Sequence, residues 1–324
     1  MTPTLRPMNL GEILDRTLQI YRSRFLVFVG IEIASPMATL AVLILGEVGS
    51  LTTLSVPTKE MFRQAASWMP NDWPASLTYF LGWPLIAYLT SRELLGESAT
   101  LGTAIGFCRD RLKSWLAISA ILWAVCSLLP SSIYRLLWES GAESWVGLHW
   151  DFAPLSSTGA FLFALLKWCA GSLCVLGVAL GAPAWAVEEI GAVASVRRGW
   201  TLGKGSWFRI LTAEFLSDTL RWILVGSLAL AFVTVLGFFL RNPGGGESIY
   251  QLRYKFELVA VRAVSILIGA ILPIAFTVIY YDQRIRKEGF DIERMMDAAG
   301  LNATEPLAAA IGAMPNADAT EGQA

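Results

Sequence analysis

Apolar residues gather along this chain into six long stretches. Leu26–Gly46 runs for 21 residues with one charge, Glu32, and one proline, Pro36. Ala75–Ser91 (17 residues), Ser114–Tyr134 (21), Trp168–Val187 (20), Trp222–Leu240 (19) and Ala263–Tyr281 (19) carry no charge at all. About 20 residues of helix cross the roughly 30 Å of hydrocarbon in a bilayer. The pattern therefore predicts an all-α, polytopic membrane protein. Its six transmembrane helices lie at about 26–46, 75–91, 114–134, 168–187, 222–240 and 263–281, inside a membrane domain covering 1–298. The Ala-rich segment 299–324, with Pro306 and Pro315, reads as a disordered cytoplasmic tail. No cleavable leader is expected, since the first 24 residues are charged and the run after them is span-length.

Between the stretches the polar positions are uneven. Segments 1–24, 92–113, 188–209 and 282–324 each hold four Lys or Arg, sixteen in all, whereas the three intervening loops hold six. Positive residues stay inside, so both termini are expected in the cytoplasm. Lys167, Arg221 and Arg262 abut their spans and read as snorkelling side chains. Composition agrees with this picture. Charged residues are 16% of the 324, hydrophobic ones 55%, and the net charge is −1. So few charges cannot cover a soluble domain, and phosphate-rich nucleic acid needs a basic excess that is missing here.

Three cytoplasmic segments resemble one another: Asn9–Arg24, Ser98–Lys113 and Ala194–Arg209. Each precedes an odd-numbered span, opens on a polar or small residue and ends in basic ones. In the first, Leu10, Leu14 and Leu18 recur at i, i+4 and i+8, the stripe of an amphipathic helix. A basic amphipathic segment beside a span is suited to the cytoplasmic headgroup layer. Even-numbered spans carry Pro84, Pro183 and Pro273 in their cytoplasmic halves. The simplest description is three copies of interfacial helix, outward span and Pro-bearing inward span.

The same residues carry a family resemblance. Leu10-Gly-Glu-Ile-Leu-Asp15, Glu188-Glu-Ile-Gly191, Arg197-Arg-Gly-Trp-Thr-Leu-Gly-Lys-Gly205 and Tyr280-Tyr-Asp-Gln-Arg-Ile-Arg-Lys-Glu-Gly-Phe-Asp291 resemble the bacterial glycerophosphoryl diester phosphodiesterase membrane-domain family. The similarity spans about 5–295, and the closing motif is its most specific part. It implies a multi-pass plasma-membrane protein, sometimes fused to a phosphodiesterase barrel. That barrel's chemistry uses two histidines with acidic metal ligands, and the chain has one histidine, His149. The resemblance therefore implies a membrane module without that activity.

Candidate chemistry is sparse. His149, in an aromatic stretch, reads as an interfacial residue, and a two-His metal site is excluded. Cys108, Cys126, Cys169 and Cys174 form no CxxC and read as packing residues. No cofactor is implied. Glu32 lies about two turns inside the first span, where a carboxyl must be protonated, paired or facing a wet cavity. Glu214, Asp218 and Arg221, at i, i+4 and i+7, either join Glu32 in an intramembrane polar cluster, with Arg221 its first candidate partner, or form the solvated start of the fifth span. Gly199, Gly203, Lys204 and Gly205 do not match a phosphate loop; Arg197, Arg198 and Lys204 are candidate headgroup contacts or simple positive-inside charges. Gly177 and Gly181 form a GxxxG suited to close helix contact within the bundle. The expected function is a non-enzymatic module organising membrane lipids or a membrane-protein partner. The alternatives are a transporter or channel for a small solute or lipid with its polar cluster near Glu32, or a membrane enzyme. Neither the partner nor the oligomeric state is legible.

Overall fold

The structure is a computed structural model, and it describes residues 6–34, 36–37, 73–130, 171–239, 263–264 and 266–298. Among these residues every regular element is a helix. In chain order they are α1 (Leu10–Ser23), α2 (Phe25–Ala34), α3 (Trp73–Leu94), α4 (Leu101–Asp110), α5 (Leu112–Trp123), α6 (Gly181–Glu188), α7 (Ala192–Gly203), α8 (Trp207–Phe239), α9 (Ile271–Glu288) and α10 (Phe290–Ala298). A π-helical turn, Ala124–Leu128, extends α5. The expected tail, the three outer loops and parts of the spans beside them lie outside the described residues, as does His149.

Among the described residues, two helical stretches are long and apolar enough to cross a membrane: Gly171–Glu188, which contains α6, and Ile266–Glu288, which contains α9. A third is added if α4 and α5, bent by 98° at Arg111, count as one span. This is fewer than the six expected. Two physical reasons are visible. In the first span only the short helix α2 is described. In the second, α3 is continuous for 22 residues but is diluted by Trp, Tyr, Ser, Thr and Pro, which lower its hydropathy.

The three predicted interfacial segments are helices, and their starts follow from local chemistry. Asn9 caps α1: its side chain accepts from the Glu12 amide while the Glu12 carboxylate accepts from the Asn9 amide, a closed capping box. Thr100 and Thr103 make the same reciprocal pair at α4. α7 starts at Gly191 without a side-chain cap.

Packing repeats with the sequence. α3, α6 and α9, the proline-bearing helices, contact one another and form the centre. Each interfacial helix lies against the central helix that precedes it around a ring: α4 on α3, α7 on α6 and α1 on α9. Contact of α1 with α9 joins the first repeat to the last and closes the ring. Trp83, Trp185, Phe276, Tyr280 and Tyr281 fill the core. The Trp83 and Phe276 rings meet edge-on at 5.7 Å, as do Phe107 and Trp185 at 5.4 Å. Small residues set the closest crossing. A Cβ on Gly199 of α7 would lie 2.7 Å from the Gly181 nitrogen and the Leu180 carbonyl carbon. Gly177 and Gly181 face Trp200 and Val196 of α7, so the GxxxG pair serves contact inside the chain.

The prolines free carbonyls, and side chains take them up. Pro273 has no N–H for Gly269, and the Tyr79 hydroxyl of α3 donates to that carbonyl at 3.2 Å. Beside Pro84, the Trp115 indole of α5 donates to the Leu81 carbonyl at 3.1 Å. Beside two of the prolines, these bonds tie α3 to α9 and α5 to α3.

Candidate functional site

The main described concentration of charge lies where the central helices end. In every repeat an arginine at the start of the odd helix pairs with a carboxylate near the end of the even one. Arg24 meets Glu93 at 2.6 Å, Arg111 meets Glu189, and Arg209 meets Asp282. The backbone brings the partners together because each interfacial helix turns sharply into the next element there, at Arg24, at Arg111 and at Lys204–Ser206. Glu93 and Glu189 stand at the close of α3 and α6, whereas Asp282 lies six residues before the end of α9.

The third pair is the most enclosed. Asp282 has no solvent exposure and is held from four directions. Besides Arg209, it takes the Arg286 guanidinium at 2.9 Å, the Gln283 amide at 3.2 Å and the Met8 backbone N–H at 2.8 Å. The Met8 carbonyl in turn accepts from Arg286 at 2.7 Å. The segment before α1 is thus threaded into the pair and latches the ring. A buried carboxylate with this many donors has its desolvation offset.

A second network stands beside it. Arg198 of α7 donates to Glu188 at 2.7 Å and pairs with Glu288 at 2.6 Å, joining α6, α7 and α9. The Tyr280 hydroxyl donates to Glu188 at 2.6 Å, and Arg284 lies 3.3 Å from Glu288. Its hydrogen bond to Glu288, followed by that to Glu188, pushes the Arg198 guanidinium further above its ordinary value, so it stays charged. The Lys287 ammonium donates to the Leu202 carbonyl at 2.9 Å, at the end of α7 where carbonyls lack partners.

The residues expected to matter are distributed differently. Arg198, a candidate headgroup contact, is committed to these two carboxylates, while Arg197 and Lys204 are exposed. Glu32 of α2 is buried, at 4% exposure, and its Oε1 has no hydrogen-bond partner among the described residues. It stands close enough to Tyr21 to act on it: burial, then the Glu32 charge, push the Tyr21 hydroxyl above its ordinary value. Glu214 of α8 is buried. The side chains of Asp218 and Arg221 lie outside the described residues, and so does the pairing of Glu32 with Arg221.

Sequence reading missed Asp282, Glu188 and Arg209 as partners because 73 residues separate Arg209 from Asp282, and 92 separate Tyr280 from Glu188. A signal was present: each even span is followed by an acid and each odd span is preceded by an arginine. Among the described residues no group of three or more His, Cys, Asp and Glu is placed to hold a metal.

Comparison with models of known protein families, with curated proteins and with solved structures returns no match to this chain.

Proposed function

We propose that this chain is a non-enzymatic, six-span membrane module that organises lipids or a partner membrane protein, built as three two-span repeats with both termini cytoplasmic. One observation carries the reading. The charges at the ends of the central helices are spent on one another, repeat by repeat, and on the latch at Met8, which makes them struts of a scaffold. The outward apolar face of α8, with Phe208, Phe215, Ile223 and Leu230 exposed, is suited to lipid. The motifs that resemble the bacterial membrane-domain family favour placement in the plasma membrane.

Topology tests the reading. Reporter fusions or cysteine labelling are expected to place Gln64, Gly147 and Gly245 outside, and Gly102, Gly203 and Ala310 inside. A reporter active on the wrong side at any of these positions overturns the six-span arrangement. The purified chain is also expected to hydrolyse no glycerophosphodiester, and turnover that disappears in His149→Ala would contradict a non-enzymatic role.

A second reading, transport of a small solute or lipid, is favoured by one feature. Glu32 is a buried carboxyl with an unpartnered oxygen, and Tyr21 beside it donates to the Leu267 carbonyl just before the helix break at Gly269–Ala270. Proton-coupled uptake into proteoliposomes that is lost in Glu32→Gln would establish this reading over the first.

A further inference from the structure

We infer that the open cleft between the α4–α5 bend and the end of α6 binds the phosphate of an anionic phospholipid, one of whose acyl chains runs down α5. The inference rests on the membrane placement proposed above, with α4 at the cytoplasmic surface.

The three repeats differ at this one place. In the third, the junction between odd and even helix is filled by the Met8 backbone, which bonds Asp282 and Arg286. In the first, Arg24 reaches back to the Ala99 carbonyl of the following linker as well as to Glu93. In the second, nothing among the described residues fills it. A cleft of about 530 Å³ remains, walled by residues 109–114 and 189–191, three cations (Arg109, Arg111, Lys113) against two carboxylates (Asp110, Glu189). That volume lies in the range of a small-ligand pocket.

Charge selects the occupant. Arg111 is balanced by Glu189, and its guanidinium also donates to the Glu189 carbonyl at 2.6 Å. Arg109 is highly exposed and stands 4.0 Å from an equally exposed Asp110, a weak pairing. Lys113 is exposed and has no ion-pair partner among the described residues. The rim is therefore net positive. The two helices that begin there, α5 at Leu112 and α7 at Ala192, both lack a side-chain cap and offer first-turn amides, while α4 and α6 end there with opposing dipoles, so the net attraction comes from the Arg109 and Lys113 side chains. An anion at the rim satisfies these two cations together.

Beyond the cleft, whose wall includes Leu112, the surface of α5 is apolar. Leu112, Leu116 and Ala120 recur at i, i+4 and i+8 along α5, and all three are exposed. An apolar stripe descending from a cationic rim matches a headgroup phosphate with a chain attached. A free phosphoryl solute would use only the rim, and that difference separates the two sources.

The test uses the full chain purified in detergent, with lipid retention read by native mass spectrometry. Wild type is expected to keep dioleoyl phosphatidylglycerol in preference to dioleoyl phosphatidylcholine. Each basic residue near a surface contributes measurably to anionic-lipid attraction, so Arg109→Gln with Lys113→Gln is expected to weaken phosphatidylglycerol retention roughly 10- to 30-fold. Arg22→Gln with Arg294→Gln removes the same charge from exposed positions outside the cleft and is expected to weaken retention by a clearly smaller factor than the cleft pair. Leu116→Asn keeps the cations and is expected to lower retention of the dioleoyl lipid but not of dihexanoyl phosphatidylglycerol. Equal losses in the two double variants, no preference over phosphatidylcholine, an unchanged Leu116→Asn, or displacement of the lipid by millimolar inorganic phosphate would each overturn the inference. Labelling of Gly102→Cys reports separately on placement: labelling from outside defeats the membrane reading, whereas labelling from inside without lipid preference defeats the cleft alone.

Discussion

Glu189 is the one non-glycine residue with positive φ, 56°, among the described residues. It closes α6 at the place where Gly289 closes α9 and Gly96 follows α3, both also left-handed. A side chain in this region costs about 1–2 kcal/mol, and here the carboxylate gains Arg111 in return. Since that pair is partly exposed, it contributes at most about 1 kcal/mol. Glu189→Gly is therefore expected to be neutral or to stabilise by up to about 2 kcal/mol in detergent melts, while removing the carboxylate from Arg111. Gly199 is the opposite case. Its Cβ position is occupied by the α6 backbone, which cannot move aside as a flexible side chain would. Gly199→Ala is expected to destabilise by about 1–3 kcal/mol through overpacking, and an unchanged melting temperature would show that α7 crosses α6 at a greater distance. The composition of the chain shows many glycines but not which of them touches another backbone.

At the scale of an element, α1 was legible in advance. A polar residue suited to an N-cap, Asn9, ahead of a leucine stripe specifies its start, but the stripe does not mark its buried side: Ile13, Thr17 and Ile20 are the buried residues, whereas Leu18 is exposed. The Asn9 amide bond, and then Arg6, hold the Glu12 carboxyl below its ordinary 4.5. A carboxyl depressed in the folded state contributes stability that is present above the unfolded value and lost as pH falls through the folded one. The start of α1 is therefore expected to fray as pH drops below about 4.5, seen as faster amide exchange there than in α9, and Glu12→Gln is expected to remove the dependence. The second span was less legible. Its aromatic and hydroxyl residues weaken its hydropathy, yet Tyr79 and Trp83 are used in the interior, on Gly269 and against Phe276. Periodicity registers apolar density; it does not register which polar tips find partners.

For the whole molecule, the clasp at Asp282 holds the first repeat to the last. Removing one partner of a buried pair strands the other, at a cost of several kcal/mol. Arg209→Gln and Asp282→Asn are each expected to destabilise by about 2 kcal/mol or more, and the double variant by less than their sum because they share a network. Hydrogen exchange is expected to rise in α1 and α9 together in both single variants. Simple additivity, or exchange rising in α9 alone, would show that Met8 is not held by this pair.

The sequence by itself determined the helical class with apolar helices long enough to cross a membrane, the three helical segments ahead of the odd-numbered stretches, and the prolines of the helices that follow. These depend on local patterns: apolar run length, capping residues and the spacing of basic segments, all of which act within a few turns of chain. Tertiary structure alone decided that the proline-bearing helices form the centre, that Arg198 is spent on Glu188 and Glu288, and that Met8 fills the third junction while none of the described residues fills the second. Those outcomes join residues tens to hundreds of positions apart. Their energies come from desolvation and close approach, which exist only once the helices are packed.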